Sequence, residues 1–119
     1  MVLEYRGRRS GRRFRIPVMY ARDGEQVVAL AVAPEAKQWW RTFQASAPAR
    51  LTIAGRTLEV EGRRLRGAEA RDALRRYLER FPRASGTVGA AADSEPADLD
   101  AAGARVAIVA FRTQSAVER

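Results

Sequence analysis

The 119-residue chain has no cysteine and no histidine. Without cysteine it offers no disulfide, no thiol nucleophile and no thiolate metal site, and nothing firm follows about its redox compartment. Without histidine it lacks both the commonest general base and the commonest metal ligand. A haem bound through histidine or thiolate is excluded for the same reason. An enzyme made from this chain would leave its difficult chemistry to a bound organic cofactor. Lysine is almost missing too: Lys37 is the one lysine among 22 basic residues. So much arginine beside so much alanine reads as a bias of genome composition more than as selection for a polyanion. No run approaches the twenty apolar residues of a membrane span, and no signal segment opens the chain, so a soluble, cytoplasmic protein is expected.

What the chain does have is positive charge. The formal net charge is +8, and residues 6–18, RGRRSGRRFRIPV, hold six arginines. The length suits a single domain over 1–119 that buries roughly two-thirds of the surface exposed by the unfolded chain. Charge of this kind is the electrostatic footprint of nucleic-acid binding. Yet no helix-turn-helix, zinc finger or RNA-binding aromatic motif is present to read a sequence, and Asp93, Glu95, Asp98 and Asp100 form an acidic cluster that would repel phosphate. Nucleic acid is therefore not the expected partner. Clustered arginines also attract anionic lipid, which leaves a peripheral membrane contact open.

The first half of the chain reads as β-structure. Val2, Leu3 and Tyr5 start a strand that runs into RGRRSGRR, where Gly7 and Gly11 give turn freedom. FRIPVMY then alternates, which places Phe14, Ile16 and Val18 on a core-facing side, and Pro17 makes this an edge strand or a bulge. Asp23-Gly24 marks a hairpin into QVVALAV, apolar enough to be buried on both faces. Pro34 and Glu35 open an expected helix through EAKQWWRTFQA, which Pro48 ends. On such a helix only one of Trp39 and Trp40 faces the core; Trp39 with Phe43 takes that role, and Trp40 is left to wall a groove. ARLTIAGRTLEVEGRRL is a second hairpin turning at Ala54-Gly55-Arg56, with Leu51, Ile53, Leu58 and Val60 as core. AEARDALRRYLERF is a second helix with Ala70, Ala73, Leu74, Tyr77, Leu78 and Phe81 on its buried stripe. Residues 83–104 read as a long loop with at most one helical turn, whose acidic cluster at 93–100 is a solvated segment or, alternatively, a lid over the groove; RVAIVAFR is a last strand and TQSAVER a tail. The fold class is mainly β (α+β): a small split antiparallel β-barrel of about six strands with two main helices.

The ordered set Gly7, Arg8, Arg9, Ser10, Gly11, Pro17, Tyr20, Asp23, Gly24, Trp39 and Trp40 resembles the deazaflavin-dependent nitroreductase family, split-barrel oxidoreductases that bind reduced coenzyme F420. The resemblance spans roughly residues 3–66. It implies a hydride donor lying across a barrel groove, with its phosphate and acidic tail held by the basic turn and by backbone amides after the third strand. Carried over, Arg9 takes the basic turn position with Arg8 and Ser10 beside it, and Ala31, Val32 and Ala33 take the loop position. The chain departs from the family in three places. LAVAPEAKQ has no glycine or serine, Phe14 stands where an arginine is common, and FPRASGTVG lacks the tyrosines that often line the substrate pocket.

Physical chemistry supports an anion at the turn, since guanidinium groups fork onto phosphate oxygens and glycines let the backbone approach. The competing account is a solvated hairpin in an arginine-rich chain. Lys37 and Arg41 lie one turn apart and suit an anionic tail, and Tyr20 is the candidate proton donor. The reading is an F420-dependent reductase of a small electrophile such as a quinone or nitro compound. Flavin mononucleotide is the alternative cofactor, and a non-catalytic barrel binding an anion or a partner protein is the alternative of another class. Barrels of this kind are often homodimers.

Overall fold

Two-residue turns shape the sheet. Strands β5 (Ala47–Ile53) and β6 (Arg56–Arg64) pair with Ile53 opposite Arg56. Ala54 and Gly55 between them have φ of 51° and 79°. Positive φ at both central positions is the geometry that matches the twist of the flanking strands. Gly24, at φ 63°, turns β3 (Ala21–Asp23) into β4 (Gln26–Ala31), with Asp23 opposite Gln26. The computed structural model describes residues 1–113, so the expected tail falls outside the described residues beyond Thr113.

With β1 (Val2–Arg6), β2 (Arg13–Pro17) and β7 (Ala107–Thr113), seven strands form one antiparallel sheet in the order β2-β1-β5-β6-β7-β4-β3. β2 and β3 are at opposite ends of that order, yet only residues 18–20 join them. Four residue steps span at most about 14 Å. The two edges must therefore approach each other where the chain crosses, and the Val18 N–H, donating to Met1 O at 2.9 Å, carries the β1–β2 pairing up to that point. The sheet is curled into a half-barrel, as a split barrel requires, with one strand more than the sequence suggests.

Side-chain alternation gives this sheet two cores. Val28 and Leu30 of β4, with Ile108 and Ala110 of β7, face the helices; Val27, Ala29 and Ala31, with Val109 and Phe111, face the barrel interior. The near-continuous apolar run in β4 follows from burial on both sides. Helix α1 (Gly67–Arg80) buries Ala70, Ala73, Leu74, Tyr77 and Leu78 of its expected stripe, whereas Phe81 falls just past the helix end and is half-buried. The short α2 (Ser85–Val88) and α3 (Pro96–Ala104) follow.

Several expectations need correction. FRIPVMY does not continue into the Asp23-Gly24 hairpin as one strand: β2 pairs with β1, and the hairpin belongs to β3 on the other edge. Pro17 does sit on an edge strand, because β2 has only β1 as neighbour. Phe14 is not core; it is 37% exposed, since an edge strand lacks a second neighbour to cover it. Pro48 does not end a helix but lies within β5, beyond the stretch where β5 pairs with β1. The segment 34–44 forms two 3-10 turns, Pro34–Ala36 and Trp39–Phe43, in place of an α-helix. Both Trp39 and Trp40 are buried in the barrel core with Phe43. A 3-10 turn advances about 120° per residue, and the barrel end closes over both indoles. Finally, residues 96–104 are the helix α3, with Leu99 and Ala102 buried against α1.

Candidate functional site at the arginine turn

The turn after β1 is closed by its own hydrogen bonds. The Gly7 N–H donates to Arg12 O at 2.8 Å, and the Gly11 N–H donates to Gly7 O at 3.1 Å. The Arg12 N–H donates to Ser10 Oγ at 3.1 Å, which leaves the Ser10 hydroxyl proton free to meet an anion. Gly11 has φ 69°, a conformation open to glycine at no steric cost. Two further bonds tie this turn to the Trp39–Phe43 segment: Arg8 Nη1 donates to Arg41 O at 3.4 Å, and the Thr42 hydroxyl donates to Arg6 O at 3.2 Å.

Between these pieces lies a groove of about 440 Å³ lined by Tyr5, Gly7, Arg8, Arg9, Ser10, Phe14, Gln38, Arg41 and Thr42. Part of its wall is an aromatic pair, Tyr5 stacked on Phe14 with ring centres 5.3 Å apart and 20° between planes. Gly7 is closely packed: a Cβ there would stand 3.0 Å from Phe14 Cε2 and 3.2 Å from Ser10 Oγ, so both side chains would have to give way slightly. No carboxylate lines the groove. Arg8, Arg9 and Arg41 take no part in the five ion pairs among the described residues. Burial raises the pKa of the Tyr5 phenol, so it stays neutral at ordinary pH.

The groove continues along β2. A cleft of about 300 Å³ shares Tyr5 and Gln38 with it and adds Ile16, Pro17, Lys37 and Trp39. Pro17 in turn joins that cleft to a wide groove of about 680 Å³ lined by Met1, Val18, Met19, Tyr20, Ala21, Arg22, Arg80 and Phe81. Phe14 lines the first groove, Ile16 the cleft, and Val18, just past the end of β2, the wide groove.

The structure brings Arg8, Arg9, Ser10 and Arg41 together, puts Lys37 in the adjoining cleft and Tyr20 in the wide groove. It does not bring Ala31, Val32, Ala33 or Trp40 to any of the three. Ala31 is fully buried and paired with Ala107. Ala33 O accepts the Ala36 N–H of the first 3-10 turn. Trp40 donates its indole N–H to Pro34 O at 2.8 Å, beneath the guanidinium groups of Arg41 and Arg64. Phe14, Gln38 and Thr42 are lining residues that sequence reasoning did not place here. The alternation of β2 was a signal for Phe14; Gln38 and Thr42 carried none.

A family model described as F420H(2)-dependent quinone reductase matches residues 1–92. The chain belongs to the F420H2-dependent quinone reductase family. No curated protein matches it. Every residue lining the three grooves falls inside the matched segment, while α3 and β7 lie beyond it. The cofactor of an F420H2-dependent reductase is coenzyme F420, and the site chemistry fits such a group. Its phosphate and acidic tail call for unpaired cations and free N–H donors with no competing carboxylate, and the arginine turn supplies them.

Proposed function

We propose that this reductase uses F420H2 to reduce a small electrophile, a quinone as in the family's description or a nitro compound, and that Arg8, Arg9 and Ser10 hold the anionic end of the coenzyme. One observation carries the reading: three arginines without ion-pair partners converge on a groove that contains no carboxylate. Arg8 is steadied by its bond to Arg41 O, so its remaining N–H groups are pre-aimed. Lys37 and Arg41 line the adjoining cleft and the groove and add charge, Arg41 with its guanidinium carbon 5.3 Å from the centre of the Trp40 ring.

The bound coenzyme supplies the hydride. The chain's own part is to place the acceptor and to deliver a proton to its oxygen. Met1, Val18, Met19 and Phe81 give the wide groove apolar walls that suit a flat ring. The Tyr20 hydroxyl in that groove is the proton donor in this reading; it stands at the seam where β2 gives way to β3.

Titration of the purified protein with F420 and, separately, with flavin mononucleotide tests this through coenzyme fluorescence. Saturable quenching by F420 alone supports it, and no response to either compound would end the redox reading. Arg9→Ala weakens F420 binding by about 1.5–3 kcal/mol if Arg9 makes a charge-assisted bond. Unchanged affinity would make Arg9 a solvated residue.

A further inference from the structure

The wide groove holds two charges that the placing of a neutral ring does not use. Arg22 of β3 and Arg80 at the end of α1 line it together with Met1, Val18, Met19 and Phe81, and no carboxylate does. Neither arginine joins an ion pair among the described residues. Asp23 and Glu79 are their neighbours in sequence, but both lie outside the groove lining. Asp23 is engaged elsewhere: Gln26 Nε2 donates to its Oδ2 at 3.2 Å, and Arg76 Nε stands 3.8 Å from its Oδ1. Arg80 is steadied as well as unpaired. Its guanidinium carbon lies 4.7 Å from the centre of the Phe81 ring, and that ring packs on the buried Tyr77 with centres 5.0 Å apart.

A basic residue in the last turn of a helix complements the helix dipole, and Arg80 does so for α1. That role explains neither its seat over Phe81 nor a second unpaired arginine in the same groove. An aromatic face orients a guanidinium without cancelling its charge, so the N–H fork stays available to an oxyanion. The groove thus combines apolar walls for a ring with two uncommitted cations. Resting on the reading of this groove as the acceptor site, we propose that the acceptor is an aromatic ring carrying an anionic substituent such as a carboxylate, which Arg22 and Arg80 bind while the ring lies against Met1, Val18 and Phe81. These two arginines then determine specificity: they separate an acidic acceptor from its neutral isostere.

The test uses a redox-inert pair, naphthoate and its uncharged carboxamide, titrated into the full chain at low salt and followed by calorimetry. Wild type binds naphthoate about fivefold more tightly, the scale of one exposed ion pair at its best. Arg22→Gln and Arg80→Gln each reduce that preference, and the double variant abolishes it. Arg56→Gln removes the same charge at the β5–β6 turn, outside all three grooves, and keeps the preference. All three arginines are exposed, so the variants fold, which a thermal melt checks. Equal binding of the two ligands by wild type, a preference that survives in the double variant, or one that Arg56→Gln removes as fully, overturns the proposal. The same ratio is read in kcat/KM with F420H2 for a naphthoquinone carboxylate and its carboxamide, each variant being compared with wild type so that intrinsic reactivities cancel. Reduction of both quinones with a ratio that the double variant leaves unchanged overturns the specificity and leaves the reductase reading standing. A naphthoate preference without reduction of either quinone overturns the reductase reading and leaves a groove that binds anionic rings.

Discussion

Phe43 and Phe111 meet edge to face in the barrel interior, ring centres 5.2 Å apart at 82°, and both rest on Gly62, which is paired with Phe111. A Cβ at Gly62 would stand 2.7 Å from Phe111 Cε1 and 2.8 Å from Phe43 Cδ1. Both rings are fully buried and have no space to retreat into. Gly62→Ala is expected to cost about 1–3 kcal/mol, the usual range for overpacking, seen as a lower urea midpoint at unchanged m-value. Gly7→Ala makes a tight contact as well, but with the half-exposed Phe14, whose ring can swing outward. Stability should then change by no more than about 0.5 kcal/mol, while the Tyr5–Phe14 wall of the groove shifts and F420 binding weakens. A Gly7→Ala protein that binds F420 normally would remove this position from the site.

At the scale of elements, α3 is the test of how the helical layer is held. Leu99 is fully buried and Ala102 with it, while Asp100 reaches Arg71 of α1 at 3.3 Å. Leu99→Ala should cost about 2–5 kcal/mol; Asp93→Asn, on the exposed side of the acidic segment, should stay within about 0.5 kcal/mol. Helix α1 adds a pH dependence. Burial raises the pKa of Tyr77 above its ordinary value. Its contribution to stability is therefore complete below the unfolded value of about 10 and is lost as pH rises through the higher folded one. Tyr77→Phe should flatten the alkaline side of the stability profile in urea melts taken from neutral pH upward. The sequence announced α1 through its apolar stripe and the hairpins through Asp23-Gly24 and Ala54-Gly55, because those signals are local. It hid α3, since two apolar residues suffice for a helix already covered by α1. It hid the 3-10 turns as well: proline, an acid and clustered aromatics open either kind of helix, and only the barrel end decides that both indoles go inside. The break between β2 and β3 was equally illegible, because it depends on partner strands far away in sequence. Of the site, the arginine turn was readable from its glycines, while Gln38 and Thr42 arrive only through the tertiary contact between that turn and the 3-10 segment.

For the molecule as a whole, the surplus of positive charge sets two responses to salt that have opposite signs. Each of the five ion pairs among the described residues has at least one well-exposed partner, and such pairs contribute between zero and about 1 kcal/mol each. Screening them loses little. Screening the net charge of +8 relieves self-repulsion, so moderate salt should raise the melting temperature. Capture of an anionic coenzyme should respond the other way. The Debye length falls from about 30 Å at 0.01 M to about 8 Å at 0.15 M, which shortens the reach of the arginine turn to little more than the groove itself. The association rate constant for F420, measured by stopped-flow fluorescence, should therefore drop by about tenfold or more over that range, with a much smaller change in dissociation. A salt-independent association rate alongside a rising melting temperature would mean that the positive charge is spread evenly around the protein and steers nothing to the groove.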